Sequence, residues 1–327
     1  MTPTLTPEDR DDLRLLRRLY ADTHPASAAE LRRATGLSPA AVAAGLSRLR
    51  AAGCAIEEHP QHGLRLVEAG LGVWRPWLAE ALGEPMEAIH VYRETSSTQD
   101  RATTHRRPGV FVADRQSAGR GRFGRRWEAP GGASLLVTVG VGVDAEPHPA
   151  GEGHGARVTA AAAVGVVEAI RDATGVTPRL KWPNDVLLHD GKLAGILVER
   201  AGGGDMTRWL IGIGLNVNRP DAAALPRVST RPPAWLSDAA RDRIDRLPLL
   251  VTLVRSVRAW VRPERHREAI ARWRQACTAQ GDTLVFASAG REVRGEVIDV
   301  DLDAGLVVRG DHGQLVHLPA ATTSALP

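Results

Sequence analysis

The stretch Lys181-Trp182-Pro183-Asn184-Asp185-Val186-Leu187-Leu188-His189-Asp190-Gly191-Lys192-Leu193-Ala194-Gly195 decides how this chain is read. An extended segment ends at Trp182, Pro183-Asn184-Asp185 makes a turn, and Val186-Leu187-Leu188 starts a second strand. His189-Asp190-Gly191 is a tight turn and residues 192–199 form a third strand, which puts Lys192 at the mouth of a hairpin. Glycine in mid-strand at 195 marks a place where a ligand or another backbone comes close. The following run, Trp209-Leu210-Ile211-Gly212-Ile213-Gly214-Leu215-Asn216-Val217-Asn218, reads as a buried strand ending in amides. Of 42 basic residues only Lys181 and Lys192 are lysine, and Asn184, Asn216 and Asn218 are the only asparagines. A chain that writes arginine almost everywhere keeps lysine where a compact ammonium is needed, a geometry the planar guanidinium does not copy.

Working upstream, Glu94-Thr95-Ser96-Ser97-Thr98-Gln99-Asp100 follows the short strand-like Ile89-His90-Val91-Tyr92. Its hydroxyls and amide suit either recognition of a small polar ligand or the N-cap of a helix, and Ser97 or Thr98 can serve both. Next, Gly119-Arg120-Gly121-Arg122-Phe123-Gly124-Arg125-Arg126-Trp127 has the spacing of a dinucleotide fingerprint. That motif must open a helix, whereas Ala129-Pro130-Gly131-Gly132 forbids one and 134–143 reads as a strand. The segment is therefore a basic loop between strands, its glycines letting backbone N–H groups approach an anion. Its like charges favour mobility until a polyanion neutralises them.

At 327 residues the chain has room for two or three domains, and 43% hydrophobic with 24% charged residues fits a soluble globular protein with a sizeable core. Capping signals at Thr6-Pro7-Glu8-Asp9, Ser27 with Glu30, and Ser38-Pro39 open three helices, and a hairpin follows, the order of a winged helix-turn-helix over residues 1–68. Its recognition helix presents Ala40, Ala41, Ala43, Ala44 and Gly45, leaving Ser38, Ser47 and Arg48 as the candidate DNA contacts, mostly to phosphate. Nine basic against eight acidic residues over 1–66 make a weak electrostatic footprint. The main domain is expected over 85–275, with an alanine-rich helix at 155–174 and helices at 248–262 and 264–276. Short strands at 282–286, 291–300, 305–309 and 315–318 make a small SH3-like barrel over 278–327. Cys54 and Cys277 read as free thiols of a reducing cytosol; no stretch is long and apolar enough to span a membrane, and the eleven histidines lack zinc-site spacing, so no protein-bound metal is expected.

The basic loop, Lys181–Asp185, the Lys192–Glu199 strand and the Gly212–Asn218 strand together resemble the biotin–protein ligases, and the N-terminal winged helix resembles their bifunctional ligase/biotin-operon-repressor type. The resemblance covers nearly the whole chain. It implies an α+β fold with a central mixed sheet akin to class II aminoacyl-tRNA synthetases, ATP and biotin as substrates, Mg²⁺, and a biotin carboxyl carrier protein domain as acceptor. Operator DNA and a homodimer are the further partners it implies, with no membrane, in the cytoplasm. It implies that Ser97, Thr98, Gln99 and Gln116 bind the ureido ring, with Gln99 standing where the family has asparagine. Backbone groups of Arg120, Gly121 and Arg122 would hold the biotin carboxylate, with Gly195 close by. Lys192 would neutralise carboxylate and phosphate together, and Asp185 would orient the reacting groups or the acceptor lysine. Gly119 and its loop, Trp127 and Asn216 would bind the nucleotide, Trp127 by stacking on adenine. The family's arginine after the last strand is missing from the tail Pro319–Pro327. A lipoate-type ligase, and a biotin-sensing regulator with secondary or lost ligation, are the competing readings.

Overall fold

The computed structural model describes residues 5–21, 24–59, 62–142, 154–203, 207–225, 231–277, 281, 283–301, 305–319 and 322–325. Asp282, expected to open the last group of strands, lies outside them, as does Val143. Among the described residues the strands form three sheets.

The first follows three helices, α1 (Pro7–Ala21), α2 (Ala28–Thr35) and α3 (Pro39–Ala51), and is the hairpin β1 (Ala55–His59) with β2 (Gly63–Glu68). The capping signals work as their chemistry requires. Thr6 and Asp9 bond reciprocally, Ser27 and Glu30 form a complete capping box, and the Ser38 hydroxyl accepts from the Ala41 N–H. Two sequence expectations for α3 change. Gly45 is buried rather than exposed, because α1 crosses so closely that a Cβ there would lie 2.3 Å from Leu15 Cδ1. Arg48 is turned to Asp12 of α1, its Nη2 2.7 Å from Oδ1 and its Nε 2.9 Å from Oδ2, so its guanidinium serves the helix pair. Ser47 remains exposed and Ser38 is a cap.

Residues 69–84, left unassigned between the two expected domains, are part of the core. Helix α4 (Trp74–Leu82) buries Trp74 and Leu78 in one cluster shared by Leu15, Leu31 and Leu49 of the N-terminal helices and the strands that follow. Polar contacts reinforce this junction. Tyr20 OH donates to Asp245 Oδ2 at 2.7 Å, and the Ala69 N–H donates to the same oxygen at 3.0 Å. Buried Arg246 bridges Glu68, at the end of β2, to Asp114.

The central sheet has seven strands in the order β3 (Ile89–Thr95), β4 (Val110–Gln116), β5 (Ser134–Gly142), β9 (Arg208–Asn216), β8 (Gly191–Ala201), β7 (Asp185–Leu188), β6 (Arg179–Lys181). It is mixed, since β3 and β4 run parallel and the other pairs antiparallel. The unbroken burial of β5 through Gly140 requires cover on both faces. Helix α5 (Thr98–Thr104) covers one face at β4, β5 and β9; α6 (His154–Thr174) lies against the other, its Gly155 beside the Trp209 ring. Next come α7 (Leu236–Ala240), α8 (Arg246–Trp260) and α9 (His266–Ala276). Helices α6 and α8 touch at Gly165, where a Cβ would meet Val257 Cα at 2.9 Å. The third sheet is antiparallel, ordered β13 (Leu315–Leu318), β12 (Gly305–Arg309), β11 (Arg291–Asp301), β10 (Thr283–Ser288), β14 (Thr323–Ala325). Its β14, unforeseen from sequence, pairs with β10. Phe286 of β10 packs edge-on against buried Trp182, ring centres 6.4 Å apart, and so backs the turn at 183–185.

Candidate active site

Directly opposed residues of paired strands face the same side of a sheet. Lys181 opposes Asp185, Asp185 opposes Gly195, Gly195 opposes Gly214, and Gly214 opposes Leu136, giving one transverse row across five strands. The neighbouring row on that face runs Leu197, Gly212, Thr138. Over these rows lies a cavity of about 860 Å³. Glycine clears this face so that side chains pack directly on the backbone: a Cβ at Gly212 would sit 2.7 Å from Gln99 Oε1, and one at Gly214 2.4 Å from Trp127 Cε2.

Lys192 and Gly195 are three apart and in a regular strand would face opposite sides. The pairing Val186–Ala194 is followed by Leu187–Lys192, so Leu193 is an extra residue on β8. This bulge turns Lys192 onto the glycine face. There its Nζ lies 2.7 Å from Asp185 Oδ1 and 5.5 Å from the centre of the Trp127 ring. The Lys192 backbone is held from both sides: its N–H donates to Pro232 O at 2.8 Å, and its carbonyl accepts from Ala234 N–H at 2.9 Å and Asn216 Nδ2 at 3.2 Å. Asn216 thus supports Lys192, in addition to lining the cavity.

At the other end of the cavity the Ser97–Gln99 segment is the N-terminus of α5. Ser97 is the cap, its hydroxyl accepting from the Gln99 N–H at 3.2 Å, so both sequence readings of this segment meet in one place. Gln116 Oε1 accepts from the Thr98 N–H at 2.6 Å and its hydroxyl at 3.0 Å. Thr138, missed from sequence, lies 2.9 Å from the Thr98 hydroxyl and 3.1 Å from Gln99 Oε1, and its single proton serves one of them. Gln99 Nε2 donates to Leu210 O at 3.2 Å, so both ends of the Gln99 amide are engaged within the fold. Ser97, Thr98 and Gln99 are all under 5% exposed, and such a buried polar cluster is stable when its remaining hydrogen-bonding capacity is met.

The basic loop is a small hairpin. The Trp127 N–H donates to Gly119 O at 2.9 Å, and the Gly121 N–H donates to Arg125 O at 2.6 Å, which occupies a group expected to face an anion. Arg120 reaches Asp100 at 2.5 Å and Glu199 at 3.7 Å, relieving internally part of the loop's self-repulsion. Arg122 lines the cavity, and burial pulls its guanidinium below the usual range, against the opposing pull of Asp185. Phe123, at the loop tip, is 54% exposed with a left-handed backbone, φ 56°. Expected to stack on a base, Trp127 lies over Gly214 and Gly195, its Nε1 buried without a hydrogen-bond partner among the described residues. Sequence reasoning also passed over Gly212, Gly214 and Arg231, and singled out Lys181 without giving it a role; all four line the cavity. The doublet Gly212-Ile213-Gly214 carried the signal: glycines two apart on a strand clear one face.

A family model for the biotin/lipoate A/B protein ligase family matches residues 89–216, the segment containing every strand of the central sheet. The chain is 33% identical over 219 residues to the biotin–[acetyl-CoA-carboxylase] ligase of Paracoccus denitrificans, covering 64% of this chain and 87% of that one. It is 31% identical over 226 residues to the bifunctional ligase/repressor BirA of Bacillus subtilis, spanning 65% of this chain and 66% of that protein. The chain belongs to the biotin/lipoate A/B protein ligase family. Among solved structures, a biotin protein ligase from Aquifex aeolicus in complex with biotin and ATP shares the fold, with a TM-score of 0.61 at 21% identity, covering 73% of this chain and 98% of that one.

Proposed function

We propose that this protein activates biotin with ATP to biotinyl-5′-adenylate and passes the biotinyl group to a lysine of a biotin carboxyl carrier domain, that of acetyl-CoA carboxylase in the first instance. The observation that carries the reading is the glycine-floored row of Lys181, Asp185, Gly195 and Gly214, with Lys192 turned onto it and the buried Ser97–Thr98–Gln116 cluster at its end. The ureido ring of biotin offers one carbonyl and two N–H groups to those hydroxyls and amides. The dithiolane of lipoate offers none, and would leave buried polar groups unpaired, which favours biotin.

Two anions, the carboxylate and the α-phosphate, must be brought together in the first step. Lys192 supplies a cation between them, and Arg122 and the backbone of the 119–124 loop supply further donors where charge collects. Asp185, paired to Lys192, fixes the ammonium and in the second step faces the incoming acceptor amine. Trp127 walls the middle of the cavity. Gln99 and Asn216 act by holding β9 and Lys192 in place. The acceptor amine attacks the acyl carbon and adenylate leaves, so no nucleophile of the chain is required. A Mg²⁺ would be held by phosphate oxygens and water.

The N-terminal helices and hairpin we read as a winged helix and the C-terminal sheet as an SH3-like barrel, in a cytoplasmic enzyme that dimerises when the adenylate is bound. Repression of biotin genes is a secondary role, since α3 offers few groups able to read bases. The test is intact-mass analysis of a carrier domain incubated with protein, ATP and biotin. One biotinyl group on one lysine, dependent on ATP, is the expected result; an unmodified carrier alongside a working control ligase would refute the reading.

A further inference from the structure

The polar cluster assigned above to the ureido ring stands at the N-terminal end of α5, and α5 is a weak element by itself. It has seven residues, fewer than an isolated helix needs, and Ala102 is the one apolar side chain it buries. Its position over the sheet therefore rests on polar ties. At the first turn Gln99 Nε2 donates to Leu210 O of β9. At the last turn the tie is Arg208 of the same strand. Residues 208, 210, 212 and 214 of β9 share one face, so the strand whose glycines clear the cavity also carries Arg208 under the far end of α5.

Arg208 Nη2 donates to the end of the helix, where carbonyls lack intrahelical partners. It reaches Thr103 O at 3.1 Å, Ala102 O at 3.4 Å and the carbonyl of His105, the C-cap. Arg208 is 4% exposed, and among the described residues it makes no ion pair and its Nε has no hydrogen-bond partner. A buried cation without a counter-ion is unfavourable, and the compensation here is the negative end of α5. An apolar residue at 208 would fill the space without that cost but would offer nothing to the three carbonyls. Seven residues of helix put this anchor roughly 10 Å from Ser97, so Arg208 acts on a ligand through α5 rather than by contact.

We propose that Arg208 is a positioning residue for biotin: by pinning the last turn of α5 to β9, it holds Ser97, Thr98 and Gln99 at the angle at which they meet the ureido ring. The inference rests on the biotin reading above. With Gln99 and Arg208 both engaged, neither end of α5 is free to swing; without Arg208 the helix pivots on Gln99 and its last turn frays. Lys192 and Asp185 stand on β8 and β7, away from α5, so the loss falls on the biotin end of the cavity and spares the nucleotide end.

The test compares wild type with Arg208→Met, Arg208→Lys and, as a control, Val257→Ala, a core truncation in α8 remote from α5. Calorimetry should show Arg208→Met weakening biotin binding by about tenfold, the scale of one lost hydrogen bond. The KM for ATP and kcat at saturating biotin should stay within about twofold, because Arg208 touches neither nucleotide nor reacting atoms. Arg208→Lys, whose ammonium keeps three donors, should recover part of the affinity. Val257→Ala should lower the melting temperature and leave biotin affinity intact. If Arg208→Met does not fold, hydrogen exchange on Arg208→Lys reads the clamp without catalysis: the α5 amides should exchange faster than in wild type while those of α6 do not change. Wild-type biotin affinity in Arg208→Met would overturn the proposal, as would unchanged α5 exchange in Arg208→Lys. Equal losses in biotin affinity, ATP KM and kcat would overturn it too, as would the same affinity loss in Val257→Ala. A wild-type protein that binds no biotin, with α5 exchange still dependent on residue 208, would instead overturn the biotin reading and keep the clamp.

Discussion

Lys192 and Asp185 hold each other across 2.7 Å, and this contact sets what substitution at Lys192 can do. Arginine keeps the charge but spreads it over a planar fork, which does not reproduce the compact ammonium that Asp185 holds at 2.7 Å beside the Trp127 ring. Lys192→Arg should therefore lower adenylate formation by roughly 100-fold, the scale of losing one oriented electrostatic donor, with little change in folding. Single-turnover rates measure it, and near wild-type rates would remove Lys192 from its proposed role. A second residue-scale expectation concerns pH. Burial, with help from His105 and Arg75, lowers His90 from 6.5 to about 4, so the fold holds it neutral. Protonation then favours the unfolded chain: stability from His90 is fully present above pH 6.5 and is lost as pH falls from there towards 4. His90→Phe, which preserves the stack on Phe111 at 4.5 Å, should flatten the melting-temperature decline in that window. An unaltered slope would refute this. The scarce residues were the most legible ones: the three asparagines each donate Nδ2 to a backbone carbonyl, and the two lysines face one cavity. What no reading of types reveals is occupancy, as with Arg48, taken by Asp12 rather than left for DNA.

At the scale of elements, one extra residue decides the site. Leu193 inserts a bulge in β8, and without it Lys192 would point to the opposite face, the one α6 covers. The hairpin was legible from its turn, but the bulge was not, because register depends on which residues of β7 pair with β8. The glycine floor has the same character: Gly195 stood out alone, whereas its alignment with Gly214 exists only in the paired sheet. Gly214→Ala places a methyl 2.4 Å from the Trp127 ring and must displace the indole. Biotin affinity should fall at least about tenfold, while stability changes by no more than about 1–3 kcal/mol, the usual penalty for overpacking. Calorimetry with biotin and a urea melt separate the two, and retained affinity would argue that Trp127 does not wall the ligand cavity.

Across the whole molecule, Arg246 joins what sequence reading had divided. Only 8% of its side chain is exposed, and it ties Glu68 of the first sheet to Asp114 of the second, over the ring of Trp74. Removing it leaves Asp114 without its cation, while Glu68 keeps Arg243 at 2.6 Å. Arg246→Met should cost roughly 3 kcal/mol in a denaturant melt, toward the lower end for a buried pair because both acids keep some solvent. A loss below about 0.5 kcal/mol would show that Arg246 does not hold the junction together. The order of helices and strands was readable because caps, turns and periodicity are local. Helix α4 was not: Trp74-Arg75-Pro76-Trp77 lacks a side-chain cap, and its burial depends on partners far along the chain. Strand β14 was hidden for a related reason, its pairing with β10 being made across the sheet rather than by a hairpin.

The most direct test of the account is exchange of labelled pyrophosphate into ATP by the purified protein, with biotin, with lipoate and with neither. The account requires exchange with biotin alone, because only a carboxylate seated on the glycine floor beside Lys192 reaches the α-phosphate. No exchange with biotin under conditions where a control ligase works, or equal exchange with lipoate, would contradict it.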